Sequence, residues 1–456
     1  MTEETELLHE KLSYCFDNRK FADLRITLLD MEPADIASFM NERLEETDQI
    51  RFFRLLPKEL ASDVFIEIDT DTQESLIKAF TDKELKEVMD DMFLDDTVDI
   101  IEEMPANVVM RILKNSDPEN RKHINDLLAY PDDTAGSIMT PEFVSLSSSM
   151  HVDAAFDKIR KTGLNKETIY TCYVTDNKKK LIGVVTVKDL LLADKQETIE
   201  NIMTTGIITV ETLEDKEQVA QKFSKYDFIA LPVIDKEGCL VGIVTVDDAV
   251  DVIQEEATED IHKMAAILPS EKPYLKQSVF SIWKARVPWL ILLLVTSTFT
   301  SLILSGYESK LNPILYAFVP MLMGTAGNAG GQSSVTVIRA IAMGDVSFRD
   351  IFRVILKELL ASLIIGLTVG VVCFGKIMLI DKLYYSDIEI GIAILISCVC
   401  VISIVMAKLV GCILPLFAKK CRLDPAVVAS PLMTTIVDAL ALIIYCTISI
   451  AVLSII

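Results

Sequence analysis

Between Pro425 and Ile456 the sequence contains one charged residue, Asp438, near the middle of the apolar run VVASPLMTTIVDALALIIY. A carboxylate at bilayer mid-depth costs on the order of 3 kcal/mol on insertion scales, so it must face a bundle interior or a water-filled path. The alternative is a structural partnership with Lys408 in the preceding apolar stretch. A second polar island, PMLMGTAGNAGGQSS (320–334), sets Gly324, Gly327, Asn328 and Gln332 in otherwise apolar sequence. Glycine at this density predicts an interrupted helix whose freed carbonyls line water, or else a tight helix crossing. Carbonyls and a carboxylate are hard oxygen ligands of the kind that suit Mg²⁺ or Ca²⁺. The nine cysteines are scattered without a CxxC pair, which argues against a zinc site and a disulfide framework.

The elements that must hold these residues are apolar spans at about 287–305, 313–341, 354–380, 388–417 and 427–455, each able to cross about 30 Å of hydrocarbon. Lys284 and Arg286 precede the first span, Arg339, Arg349, Arg353 and Lys357 flank the second loop, and Lys419, Lys420 and Arg422 precede the last. The opposite loops hold Lys310 and Lys382. By the positive-inside rule the N-terminus is cytoplasmic and the C-terminus outside. The N-terminal MTEETELLHEKL has no basic stretch leading into an apolar core, so the expectation is that no signal peptide is cleaved. Residues after about 280 carry 13 Lys+Arg and 9 Asp+Glu, whereas those before carry 31 and 58. So acidic a half repels nucleic acid and reads as a solubilising surface or as a trap for cations.

That half is itself composite. Residues 20–130 hold short helical patterns such as FFRLLPKELASDVF and DIIEEMPANVVMRIL, each too short to stand alone, which predicts a stacked superhelix. Then IMTPEFVSL and LIGVVTVKDLL are echoed by IMTTGIITV and LVGIVTVDDAV, as two strand–helix–strand–strand–helix copies in register. These copies resemble a tandem CBS pair. The resemblance implies a regulatory module that binds adenine nucleotide, ATP being the first candidate, with Asp189 or Asp248 of the TxxD step on the ribose. The alternative is a dimerisation scaffold alone. Residues 250–286 read as an acidic amphipathic helix, a break, and an amphipathic lead into the membrane.

In this order the segments are similar to the MgtE family of magnesium channels over essentially the whole chain. The matching strings are EEATEDIHK (255–263), PxxxGTxGNxGxQ (320–332), LDPA (423–426) and SPLMTTIVDALALIIY (430–445). The resemblance implies a homodimer in membrane lipid, with a pore on its two-fold axis where Asp438 of each subunit holds a largely hydrated Mg²⁺. Gly324, Gly327, Asn328, Gln332, Ser430 and Thr434 would line it. Ser430 and Thr434 depart from family members carrying Asn and a small apolar residue there, so inner-mouth gating and discrimination among divalent ions are not carried over.

The resemblance further implies regulatory Mg²⁺ at acidic seams. The matching residues are Asp95 and Asp99, then Glu217, Asp227, Asp248 and Asp251, then Glu256, Glu259 and Asp260, and Asp424 at the membrane edge. For each, a plain solvated surface is the alternative. Carboxylates brought to about 4 Å repel by roughly 4 kcal/mol at an effective dielectric of 20, so compact packing needs cations. The expected fold is multi-domain: an α-helical superhelix (1–130), α/β tandem CBS domains (131–255), a connecting plug helix (256–284) and an all-α transmembrane bundle of five helices per subunit (285–456). The expected function is a Mg²⁺-selective channel of the cytoplasmic membrane, closed by cytoplasmic Mg²⁺. No P-loop or phosphorylated-Asp motif is present, so nucleotide would be an effector and no enzymatic step is needed. The rivals are a cation-coupled carrier of Mg²⁺ or Co²⁺ and a non-conducting membrane sensor.

Overall fold

The computed structural model describes residues 3–270, 274–308, 310–384, 388–429 and 431–453, and it divides into two compact units, 1–253 and 254–456. Ser430 lies outside the described residues.

The first unit opens with ten short α-helices among its described residues, from Glu3–Asp17 to Pro118–Leu127. Isolated helices of this length are marginal in water, so their stability must come from packing. A run of phenylalanines provides it: Phe39 and Phe52 have centroids 5.2 Å apart, Phe53 and Phe80 5.3 Å, all buried. Starts and stops are local. Thr81 and Glu84 form a capping box, and the Asp69 side chain accepts from Thr72 N. The helix Leu94–Glu103 begins where Glu142 accepts from Leu94 N at 3.0 Å.

Two three-stranded sheets follow. In the first, β1 (Ser145–Ser147) runs parallel to β2 (Thr171–Thr175), which pairs antiparallel with β3 (Leu181–Thr186). The second repeats this with β4 (Val210–Glu211), β5 (Ala230–Ile234) and β6 (Leu240–Thr245), including a register shift at the matching step, Val174/Thr175 and Val233/Ile234. Duplicated sequence thus yields a duplicated fold down to its irregularity. One apolar core runs from the helical domain through Leu94 and Val98 into Val219, Phe223 and Val244 of the second copy.

The helix Val246–Met264 follows β6 directly and passes 255/256 without a break. Among the described residues of the second unit, four helices are long and apolar enough to cross a membrane: Val279–Tyr307, Phe348–Tyr384 (which includes Ile351–Lys376), Ile390–Lys420 and Leu432–Val452. A fifth long helix, Val319–Ala342, is less apolar because it carries the glycine-rich segment. The expected interruption at 320–334 is corrected: this helix is continuous, so its carbonyls remain in the helical ladder and are not freed as ligands. The glycines act at a helix crossing instead. A Cβ on Gly411 would collide with the carbonyl oxygen of Gly330, and a Cβ on Gly330 would lie 2.9 Å from Met433 Sδ and 3.1 Å from the Ala407 carbonyl. Backbones can approach this closely only where no side chain intervenes.

Candidate functional site

Continuity of the glycine-rich helix has a geometric consequence. Residues 323, 327, 331 and 335 form one i, i+4 ladder and 324, 328, 332 and 336 the next, so together they make a single helix face. That face and one from the helix Pro431–Leu453 flank an open cleft of about 930 Å³. Gly324, Gly327, Asn328 and Gln332 line it from the first helix, and Thr434 and Asp438 from the second. Asp438 Oδ1 is 3.7 Å from where a Cβ on Gly327 would stand. A Cβ there would make ordinary contact with the carboxylate, so glycine leaves the approach to Asp438 open without relieving a clash.

Lys408 is not the partner of Asp438. Its ammonium lies 3.7 Å from Glu358 Oε2, on the helix Ile351–Lys376, and among the described residues no cation pairs with Asp438. The cleft therefore presents amide, hydroxyl and uncompensated carboxylate oxygens along an otherwise apolar bundle. The oxygens of this lining can hold a hydrated hard cation, and Met323 and Met433 add two thioethers beside them.

In the first unit, acids gather where the helix Leu94–Glu103 meets the start of the helix Val246–Met264. Asp95 is pushed up to about 6 by burial, with Glu142 adding to it, and Asp95 Oδ1 is buried without a hydrogen-bond partner. Asp96 rises to about 8 through burial and the charges of Asp95, Asp99, Asp248 and Asp247. Asp248 rises to about 7, burial and the Asp95 and Asp247 charges outweighing the Thr245 hydroxyl that donates to it at 2.5 Å. Glu167 rises to about 8 by burial and the same acids, and its Oε2 is likewise buried and unpartnered. Asp95, Asp96, Asp248 and Glu167 are all pushed the same way, as happens when carboxylates are buried beside one another. Cations of small radius are what this set lacks, and in that sense the residues fit Mg²⁺. Among the described residues no three stand in ready metal-holding geometry, so an ion here would keep most of its water.

Asp96, Glu142, Glu167 and Asp247 were not among the candidates read from sequence. A signal existed: LDDTVD (94–99) and VDDAVD (246–251) repeat one acidic pattern at two helix starts that face each other. Asp251 is exposed one turn beyond Asp248. Glu217 sits in the first turn of the helix Lys216–Tyr226, accepting from Gln221 Nε2 at 3.2 Å, and Asp227 is exposed at its other end with left-handed backbone. Those two are about 15 Å apart along the helix axis and do not form one site.

In the second unit, Glu256 and Asp260 share a face of the connector, and Asp260 is pushed up by burial and by Asp424. Glu259 and Asp424 have an internal counter-ion: Lys263 Nζ is 2.7 Å from each. In the CBS pair, Thr186 and Asp189 form a capping box whose hydroxyl bond holds Asp189 below the ordinary range. The two TxxD steps thus differ, Asp189 ionised and Asp248 set among acids.

Comparison with known proteins finds family matches along three stretches of the chain. Residues 319–448 match the MgtE divalent cation transporter family, 31–133 the MgtE intracellular N domain, and 135–195 and 199–255 CBS domains. The chain is 36% identical over 432 residues to the magnesium transporter MgtE of Thermus thermophilus, covering 93% of this chain and 94% of that one. Against that of Bacillus subtilis it is 31% identical over 432 residues, 93% of each chain. Among solved structures, the soluble part of a magnesium transporter matches with a TM-score of 0.52 at 31% identity, over 56% of this chain and 99% of that one. The cytosolic domain of the Mg²⁺ channel MgtE in complex with ATP matches with a TM-score of 0.51 at 34% identity, over 54% and 99%.

Proposed function

Because the chain belongs to the MgtE family of divalent cation transporters, we propose that it is a Mg²⁺ channel of the cytoplasmic membrane, closed by the ion it admits. The observation that carries this reading is Asp438 set against Gly327 in a cleft of uncompensated oxygen ligands. One carboxylate balances half the charge of Mg²⁺. Two copies of the chain facing across a two-fold axis supply the second, and the ion passes largely hydrated because Mg²⁺ sheds water reluctantly. Ser430 and Thr434 belong to the inner mouth of that path. The N-terminal half and the basic flanks face the cytoplasm and the C-terminus faces outward. The protein catalyses no covalent step.

Regulatory Mg²⁺ binds between the LDDTVD and VDDAVD helix starts, with Asp95, Asp99, Asp248 and Asp251 as its surround, and at Glu217, Asp227, Glu256, Glu259, Asp260 and Asp424 along the remaining seams. A site occupied at ten times its dissociation constant supplies about 1.4 kcal/mol, whereas taking a gate from 1:99 to 99:1 needs about 5.5 kcal/mol, so several sites act together and closing is steep. ATP binds the CBS pair as an effector.

The test is ion uptake into liposomes holding the purified full chain. Wild type passes Mg²⁺ under voltage alone and Asp438→Ala does not, while Mg²⁺ still protects the cytoplasmic half of Asp438→Ala from protease. Uptake that requires an opposing Na⁺ or H⁺ gradient would make it a coupled carrier. Uptake by Asp438→Ala would remove the central site.

A further inference from the structure

Ser333, Glu358 and Lys408 come from three different helices, and none of them lines the cleft. Ser333 Oγ donates to Glu358 Oε2 at 2.7 Å, and Lys408 Nζ stands 3.7 Å from the same oxygen. Ser333 is 1% exposed, and the side chains of Glu358 and Lys408 are 17% and 7% exposed. An ionised pair at this depth is expensive to maintain, and apolar residues of similar volume would be at least as stable, so its presence calls for a role beyond stability.

Its position supplies one. Ser333 follows Gln332 directly and precedes Thr336 by one turn, but points to the opposite side of the helix, away from the cleft. On that side the helix meets its neighbour through Gly330 against Ala407 and Gly411. A contact between glycines permits close approach but offers no side-chain knob to fix rotation or height. A hydrogen bond to a carboxylate, itself anchored by an ammonium on the neighbouring helix, is directional and fixes both.

We propose that Glu358 and Lys408 are positioning residues for ion passage: through Ser333 they set the rotation of the glycine-rich helix, and so the placement of Gln332 and Asn328 around the ion. The proposal rests on the cleft being the ion path. Removing one charge alone strands the other in the bilayer and risks misfolding. Ser333 is the cleaner handle, because its loss uncouples the helix while leaving the pair intact.

The experiment is Mg²⁺ and Ca²⁺ uptake into liposomes by the full chain at matched insertion, with thermal melting in detergent. Ser333→Ala should remain folded, melting at most a few degrees below wild type, yet show roughly a tenfold rise in half-saturating Mg²⁺ or a similar loss of Mg²⁺-over-Ca²⁺ preference, and Ser333→Thr should restore both. The double variant Glu358→Leu/Lys408→Met should fold and show the same loss. A merely structural pair would lower the melting temperature and leave half-saturation and preference unchanged. Wild-type half-saturation and preference in Ser333→Ala overturn the proposal, even if the double variant fails to fold. Silence of the wild type, or conduction by Asp438→Ala, instead brings down the ion-path reading and the proposal with it.

Discussion

Lys263 and Asp424 are joined by a hydrogen-bonded ion pair of 2.7 Å across 161 residues of sequence, tying the end of the connecting helix to the turn after Lys420. Glu259 shares the same ammonium at 2.7 Å. Lysine thus neutralises part of the acidic charge at this seam, beside Asp260 and Glu256.

If closing requires the connector to dock at this turn, Lys263→Met weakens the closed state. A partly exposed pair of this kind is worth about 1 kcal/mol, equivalent to about a fivefold shift. The Mg²⁺ concentration that half-closes the channel should therefore rise by about that factor, with maximal flux unchanged. Flux titrations against internal Mg²⁺ in liposomes measure both quantities.

The glycines of the bundle should divide into three classes. Gly411→Ala drives a methyl into the Gly330 backbone, which has no flexible end to move, and should destabilise by about 1–3 kcal/mol. Gly327→Ala makes ordinary contact with Asp438 at 3.7 Å, so the protein should fold and pass less Mg²⁺. Gly324→Ala meets nothing within 4 Å and should leave melting unchanged or slightly raised. Melting and flux on the same three preparations check the ordering.

Much of this was legible in the sequence because it rests on local pattern. The duplicated TVKD and TVDD steps announced two equal α/β copies, and runs of apolar residues announced the long helices. The glycine-rich segment misled because glycine density was read as a propensity to break a helix. Tertiary contact with Gly411 and Ala407 overrides that propensity. The pairing of Lys408 with Glu358 depends on rotation about two helix axes, and the acid cluster on two distant helix starts meeting. Neither has a signature in one-dimensional spacing, although the twin DDxVD strings were an available hint.

Adenine nucleotide should discriminate between the two CBS copies. Asp189 is ionised and held in a capping box, whereas Asp248 stands beside Asp95 and Asp247, whose charge repels a polyphosphate. Asp189→Asn keeps the helix cap and should weaken ATP binding to the full chain by about tenfold, as expected for a lost charged hydrogen bond. Asp248→Asn should leave it unchanged or strengthen it. Calorimetry with ATP decides, and equal losses in the two variants would refute the asymmetry.

The acid cluster predicts an inverted response to pH. In the folded protein burial and neighbouring acids push Asp95, Asp96, Glu167 and Asp248 up to about 6, 8, 8 and 7, above the ordinary 3.8 for Asp and 4.5 for Glu. Between about pH 4 and pH 8 the folded state therefore binds more protons than the unfolded one, and stability must fall as pH rises. Each group protonated only when folded lowers it by about 1.4 kcal/mol per pH unit within its window. Protons and Mg²⁺ relieve the same repulsion, so each should substitute for the other. In chelator, the N-terminal half of the full chain should resist protease at about pH 5.5 and be cut readily at about pH 8.5. Added Mg²⁺ should restore resistance at the higher pH and change little at the lower. Asp96→Asn with Asp248→Asn should flatten the pH profile and lessen the effect of Mg²⁺ together. A profile that rises with pH in chelator would mean that these carboxylates are not enclosed against one another in the folded protein.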